Sequence, residues 1–286
     1  MQGGRLEEMN ASVGIDLVVT DLDGTLWDGK GRLHPRTLRA LATLDAASIP
    51  VLAATGRRAG SAWPLMEANG IGMPTVLLDG ALGREFGAAT AFHVAAFRPA
   101  AAAELLQVLE DLGVSPVINV DDPVRDVVLG ERPSTHPDHL RFLEPWTRDE
   151  DPWTAVRDLR VLAFTLLGGD PASIRELAAE VTARIPVAAA CSNDRTYGGL
   201  HLSFRPIGVH KWAGVLAYCA ARGLDATRVL AVGDSDNDLE LLEGAAVAVA
   251  VADGSAVALE RADHVLAPAS EGGWSGILGL LGLPEQ

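Results

Sequence analysis

Ile15-Asp16-Leu17-Val18-Val19-Thr20-Asp21-Leu22-Asp23-Gly24-Thr25-Leu26 decides how this chain is read. Its first six residues form an apolar, β-branched run, which predicts a buried strand. Asp21 and Asp23 then place two carboxylates one residue apart at that strand's carboxyl end, and Gly24 lets the backbone turn sharply. Ligand sites of open α/β sheets lie at the carboxyl ends of strands. Acidic residues after a strand also serve as plain turn formers, so the pair alone leaves both readings open. The rest of the chain must decide.

Downstream, His34-Pro35 opens a helical pattern to about Ala47, with Pro in a helix-starting position. Pro50–Ala54 reads as a strand ending at Thr55-Gly56-Arg57. A helix over Ala59–Asn69 and a strand over Pro74–Leu78 follow. The order β-α-β-α-β implies right-handed parallel crossovers and a layered α/β domain. After Leu82 the pattern changes. Strands are predicted at Ser115–Val120, Asp126–Leu129, Leu159–Leu167, Val187–Ser192 and Leu200–Arg205, with helices at Ala100–Leu112 and Ala172–Arg184. The Pro-, His- and charge-rich stretch Glu131–Pro152 reads as a long connection. The first rhythm resumes at Ile207, with a helix over His210–Arg222, a strand over Arg228–Val232 and the polar turn Gly233-Asp234-Ser235-Asp236-Asn237-Asp238. A short helix over Leu239–Glu243, the apolar run Ala246–Val251 and a strand at His264–Leu266 complete it. The expected architecture is an α/β, Rossmann-like three-layer core with a parallel sheet. Residues 1–82 and 206–286 would form that core, split by an inserted α+β domain of residues 83–205.

Composition narrows the class. At 286 residues and 48% hydrophobic content the chain has material for a substantial core. No apolar run approaches the roughly 20 residues of a membrane helix, and Met1–Glu8 lacks the basic-then-apolar order of a signal peptide, so a soluble cytoplasmic protein is expected. A net charge of −15 argues against a nucleic-acid or anionic-membrane partner. It leaves room for a small anionic substrate, because a metal ion and a few basic groups reverse the local field. Cys191 and Cys219, the only cysteines, form no metal cluster or disulfide framework and read as buried thiols.

Four polar motifs fall at ends of core strands or starts of core helices: Asp21/Asp23, Thr55-Gly56-Arg57, Lys211, and Asp234 with Asn237-Asp238. Together they describe a phosphate site. Several carboxylates in one small space cannot all stay ionised without compensation. An oxygen-only ligand set lacking His and Cys suits Mg²⁺, which also bridges to phosphate oxygens. Thr55 offers a hydroxyl, the backbone at Gly56 can face an anion without Cβ interference, and Lys211 adds a point charge. A carboxylate nucleophile splits phosphoester hydrolysis into two easier steps. Asp21 would attack phosphorus, while Asp23 would protonate the leaving alkoxide and later deprotonate water.

As a set these residues resemble the haloacid dehalogenase superfamily. Asp21-Leu22-Asp23-Gly24-Thr25-Leu26 looks like its first motif and Ala54-Thr55-Gly56-Arg57 like the second of Cof-type members. Lys211 looks like the third motif, and Gly233 through Leu239 like the fourth. The long insertion is similar to the α/β cap of type IIB members. The resemblance implies an Mg²⁺-dependent phosphatase acting through an aspartyl-phosphate on a small phosphorylated metabolite, a sugar or polyol phosphate. It implies metal held by the Asp21 side chain, the Asp23 carbonyl and Asp234, with Asp238 acting through water. Thr55, Gly56, Asn237 and Lys211 would contact the phosphoryl group. Three departures stand out: Trp27 in place of an aliphatic residue, Asp79 where Asn is frequent, and Trp212 where Gly usually follows the lysine. A phosphomutase of the same fold is the rival reading, and would need a basic cluster for a second phosphate. A noncatalytic binding protein would fit better had Asp21, Lys211 or Asp234 been replaced.

Several side chains carry secondary expectations. Thr55 can also cap the following helix, and Arg57 is open between a surface ion pair and a substrate contact. His136, His139, Arg148, His201 and Arg205 are candidates for reading the substrate. His93 and His264 read as structural, Asp236 as a loop residue, and Trp146 and Trp153 as either a lid or cover for the insert's own core.

Overall fold

Leu17–Thr20 is the central strand of the molecule, β1, and every residue in it is buried. The computed structural model describes residues 14–194 and 196–285; Met1–Glu8 lies outside them. After β1 come α1 (Pro35–Ala46), β2 (Val51–Ala54), α2 (Ala59–Ala68) and β3 (Thr75–Leu77). Pro35 sits at the first helical position of α1, and the His34 ring accepts the Arg36 N–H at 3.1 Å as the cap. Two short strands follow, β4 (Leu82–Arg84), antiparallel to β3, and β5 (Ala91–Val94), antiparallel to β4.

The chain then enters the insert: α3 (Pro99–Asp111), β6 (Val117–Val120), β7 (Val127–Leu129), α4 (Pro137–Leu143), α5 (Pro152–Asp158), β8 (Val161–Gly169), α6 (Pro171–Arg184), β9 (Ala188–Asn193) and β10 (Leu200–Arg205). It returns through α7 (Lys211–Arg222), β11 (Val229–Gly233), α8 (Leu239–Gly244), β12 (Val247–Val251), α9 (Ala256–Arg261) and β13 (His264–Leu266). Two sheets result. The larger has eight strands in the order β13-β12-β11-β1-β2-β3-β4-β5, parallel from β13 to β3. The smaller is a five-stranded antiparallel sheet, β7-β6-β8-β10-β9.

Side-chain alternation along β1 explains the layering. Val18 packs with Leu44 of α1 and Met66 of α2, while Leu17 and Val19 pack with Val215 and Cys219 of α7 on the other face. Helices on both faces of a parallel sheet are what near-continuous apolar strands require. The insert buries its own cluster, centred on Phe164, Phe204, Leu105 and Ile118. The core-plus-cap architecture is therefore present.

Three expectations need correction. The stretch just after residue 82 belongs to the large sheet, because β4 pairs with β3 and β5 pairs with β4. Gly83 and Gly87 and strands of three and four residues gave little periodicity to read. We therefore place the first core-to-cap boundary near Phe97, the second remaining near residue 206. Glu131–Pro152 is not a bare connection: Pro137 starts α4, and the His136 ring caps it by accepting the Asp138 N–H at 3.2 Å. Cys191 is only partly buried and faces the cleft described below, whereas Cys219 is a core thiol.

Candidate active site

Strands β1 and β11 lie side by side in parallel register, Leu17 against Val229 through Thr20 against Val232. Strand order reverses at this pair, since β2 and β3 are added on one side and β12 and β13 on the other. Such a switch point opens a crevice beyond the strands' carboxyl ends. Asp21 leaves β1 there and Asp234 leaves β11. Gly24, at φ 88°, makes the turn that returns the chain toward Trp27.

Lys211 begins α7, held in place by the His210 cap, whose ring accepts the Ala213 N–H at 3.3 Å. It is 1% exposed. Its Nζ donates to Asp21 Oδ1 and to Asp238 Oδ1, both at 2.6 Å. Asp238 Oδ2 accepts the backbone N–H groups of Asp234 and Ser235, each at 3.0 Å. The hydroxyls of Thr25 and Ser235 donate to Asp234 Oδ1 at 3.2 and 3.1 Å. Carboxylate oxygens of Asp21, Asp234 and Asp238 lie within 4.8 Å of one another.

Three carboxylates thus face one ammonium. Burial lifts the Asp21 carboxyl well above the usual carboxylate range; Lys211 pulls it down, and Asp238 and Asp234 push it further up. Burial likewise opposes the charge on Lys211, but Asp21, Asp238 and Asp79 outweigh it and raise its pKa. The remaining deficit of positive charge, with an all-oxygen donor set, fits a hard divalent cation. Both oxygens of Asp238 are already committed, which suits a role behind the ligands rather than direct coordination.

Asp23 turns toward the mouth of the crevice. Arg57 grips it with two bonds, Nε to Oδ2 at 2.5 Å and Nη2 to Oδ1 at 2.7 Å, and the Trp27 indole donates to Oδ1 at 3.0 Å. Burial would raise this carboxyl, but Arg57 and Trp27 together hold it below its ordinary value. Thr55 is buried at the end of β2. Its Oγ1 accepts the Arg57 N–H at 3.1 Å, so it closes a local turn and does not cap α2, whose cap residue is Arg58. A Cβ at Gly56 would stand 3.1 Å from Asp79 Oδ1, so glycine lets the backbone lie against that carboxylate.

Asp79 is the residue that sequence reasoning undervalued. Leu78 and Asp79 both have positive φ, 49° and 50°, a conformation that costs a non-glycine residue about 1–3 kcal/mol. The turn drives the Asp79 carboxylate into the site, where it accepts from Asn237 Nδ2 at 2.9 Å. Burial would raise this carboxyl too, yet Arg205, Lys211 and His201 outweigh it. The Asp79 carbonyl accepts from Arg205 Nη1 at 3.0 Å, at the point where the cap rejoins the core. Its departure from the frequent Asn was the available signal. Trp27, another departure, proves to touch Asp23.

The cap lies over this crevice, with the end of β9 against the Asp236–Asp238 turn. A cleft of about 870 Å³ remains between core and cap. Asp21, Asp23, Thr55, Gly56, Asp234 and Asn237 line it from below, while His139 and His201 line it from above. The other cap candidates lie elsewhere. Arg148 pairs with Asp122 and Glu150, Arg205 is buried at the joint, and His136 stacks behind Tyr197. His93 bonds the Gly80 carbonyl at 3.0 Å, and His264 is exposed on the edge strand. Trp153 is an exposed residue of α5, whereas Trp146 packs on Gly60 and on the Arg58 guanidinium, docking the cap onto α2. Among the described residues no helix is long and apolar enough to cross a membrane.

This combination of doubly wound core, cap and acidic crevice matches known proteins. The family model for haloacid dehalogenase-like hydrolases matches residues 18–278, and the chain belongs to that family. It is a phosphoric monoester hydrolase, the class of its named relatives. Phosphoglycolate phosphatase of Methanothermobacter thermautotrophicus is 28% identical over 255 residues, covering 88% of this chain and 92% of that protein. Pyridoxal phosphate phosphatase YbhA of Escherichia coli is 24% identical, covering 87% and 92%. Among solved structures, the phosphatase BT1666 of Bacteroides thetaiotaomicron superposes with a TM-score of 0.77 at 17% identity, covering 96% and 97%.

Proposed function

We propose that the protein hydrolyses a small phosphomonoester in two steps through a phosphoryl group carried on Asp21, with Mg²⁺ as cofactor. The observation that carries this reading is the Lys211 ammonium bonded at once to Asp21 and Asp238 inside a buried acidic triple. Asp21, the Asp23 carbonyl and Asp234 would hold the metal, with Asp238 behind them through water. When bound, the cation supplies the missing positive charge beside the transferring phosphoryl group.

An Asp21 oxygen attacks phosphorus, the ester P–O bond breaks, and Asp23 delivers a proton to the departing alkoxide. Water then attacks the phosphoryl group as Asp23 takes up its proton, and the Asp21–phosphorus bond breaks to release phosphate. Lys211 keeps Asp21 aimed and offsets the charge that builds on the phosphoryl oxygens. Thr55, Gly56 and Asn237 surround the position that those oxygens would occupy. Arg57 holds Asp23 in the free protein, and a phosphate drawing Arg57 toward itself would release that carboxyl for proton transfer.

The test uses purified protein and an aryl phosphate. Hydrolysis is expected with Mg²⁺ and is lost in chelator, and Asp21→Asn is expected to abolish turnover. Normal turnover by Asp21→Asn would refute the covalent route.

A further inference from the structure

We propose that α4 and the β9–β10 turn form an aromatic wall that selects phosphomonoesters whose alcohol carries a flat aromatic ring. This rests on the phosphatase reading above and narrows its substrate, away from the sugar or polyol expected by resemblance. The wall is a chain of rings. His139 of α4 lies 6.4 Å from Phe142 at 17° between planes and 5.7 Å from Tyr197, and His136 stacks behind Tyr197 at 5.2 Å and 25°. His139, Phe142 and Tyr197 all line the cleft. Phe142 is 43% exposed, a large apolar face left open inside a cleft.

The position of the wall suits a leaving group. Asp23 protonates the departing oxygen, so the alcohol must emerge on the Asp23 side of the phosphoryl site. Arg57, which grips Asp23, lines the same cleft as Tyr197. Tyr197, His139 and Phe142 line the same cleft as Asp23, so an alcohol that leaves on the Asp23 side is released toward them. Burial pushes the His139 ring down to about 4, with His201 and Arg58 adding to the effect, so the wall presents a neutral imidazole near neutral pH. Its Nδ1 is buried without a hydrogen-bond partner among the described residues, a polar atom with no use inside the protein.

Some polar groups in the cleft already bond within the protein, although Asp194 Oδ2 is buried without a partner among the described residues. Asn119 Nδ2 donates to Thr165 Oγ1 at 3.0 Å, and Asp194 Oδ1 accepts the Thr196 and Tyr197 N–H groups at 2.8 and 3.1 Å. A sugar needs several donors and acceptors fixed around its rim, whereas a flat ring needs faces to stack on. The volume of about 870 Å³ also far exceeds what a two-carbon acid fills.

The experiment compares kcat/KM, with Mg²⁺, for benzyl phosphate and pyridoxal 5′-phosphate against glycerol 3-phosphate, glucose 6-phosphate and phosphoglycolate. Acetyl phosphate serves as a ringless reference. The ring esters are expected to lead the other esters by about tenfold, as two or three ring contacts allow. In Phe142→Ala and Tyr197→Ala, the ratio of benzyl phosphate to acetyl phosphate is expected to fall by roughly threefold to tenfold. Trp153→Ala, outside the cleft, is expected to keep that ratio. Turnover of acetyl phosphate with equal or better use of the sugar, polyol or glycolate esters would overturn the wall alone. So would an unchanged ratio in both cleft variants. Failure to hydrolyse any of these compounds, with no phosphoryl-enzyme formed, would bring down the phosphatase reading and this inference with it.

Discussion

Replacing Lys211 by Met removes one ammonium from between Asp21 and Asp238, each bonded to it at 2.6 Å. Met fills nearly the same volume, so the perturbation is electrostatic. Lys211 is 1% exposed and Asp238 0%, so water cannot replace the lost partner. Breaking a buried ion pair from one side costs about 3–5 kcal/mol. Two carboxylates lose the same partner here, which places the cost toward the upper end. Against a total stability of about 5–15 kcal/mol, and with about 2–4 °C per kcal/mol for a chain of this size, the melting temperature in chelator should fall on the order of 10 °C. A divalent cation seated among Asp21, Asp234 and Asp238 offsets part of that charge. Ligand at a hundred times its Kd contributes about 2.7 kcal/mol, and the variant has more negative charge for it to neutralise than wild type. Its melting temperature should therefore rise more with Mg²⁺ than that of wild type. Scanning calorimetry of both proteins in chelator and in Mg²⁺ gives the four numbers. Turnover should drop by about 10²-fold to 10³-fold, the range for losing one electrostatic stabiliser of a transition state. A variant that melts with wild type in chelator and shows no larger Mg²⁺ response would refute the reasoning.

Three other predictions test separate parts of the structure. Asp23→Asn should form phosphoryl-enzyme from an aryl phosphate, whose leaving group needs little protonation, and then release phosphate slowly; rapid-quench amounts of bound phosphate check this, and steady turnover of alkyl phosphates would contradict it. His139 has its pKa lowered from 6.5 to about 4 by burial, so the unfolded chain binds more protons between those values and stability falls as pH drops through that window. His139→Gln should flatten the dependence, read as urea midpoints from pH 7 down to pH 4.5. Arg84 and Asp121 form a cross-domain pair at 2.5 Å, 2% and 3% exposed, with Arg160 on the outer oxygen. Arg84→Met should cost about 3–5 kcal/mol, and adding Asp121→Leu should recover most of it, as equilibrium unfolding would show.

Much of the core was legible because its signals are local. Ile15–Thr20, Pro50–Ala54 and Arg228–Val232 are apolar runs bounded by turn residues, and each became a parallel strand within one or two residues of its predicted span. Lys211 could be placed at a helix start because the apolar spacing of α7 begins there. The stretches that misled have weak local signals. The hairpin of β4 and β5 is short and interrupted by glycines, and only pairing with β3 makes it part of the sheet. The Pro- and His-rich span to Pro152 looked like a connection, yet Pro137 at a first helical position and the His136 cap carry α4.

Sequence alone was enough to nominate the candidate reacting groups: Asp21 and Asp23 after a buried strand, Thr55 and Gly56 after the next, Lys211 at a helix start, and Asp234 through Asp238 after another strand. The roles proposed for them rest on side-chain chemistry, order along the chain and the family resemblance, which need no coordinates. Which groups touch was decided only by the tertiary structure. Residues 190 positions apart, Asp21 and Lys211, meet because β1 and α7 pack face to face. Arg57 and Trp27 converge on Asp23 because the turn at Gly24 and the end of β2 share one crevice. Asp79 enters the site through a strained turn that no local pattern announces. The rings of His139, Phe142 and Tyr197 line one wall because α4 packs beside the β9–β10 turn. Spacing in sequence sets which residues a helix or strand presents, but the distance between elements is fixed by packing, and packing is what shapes the cleft.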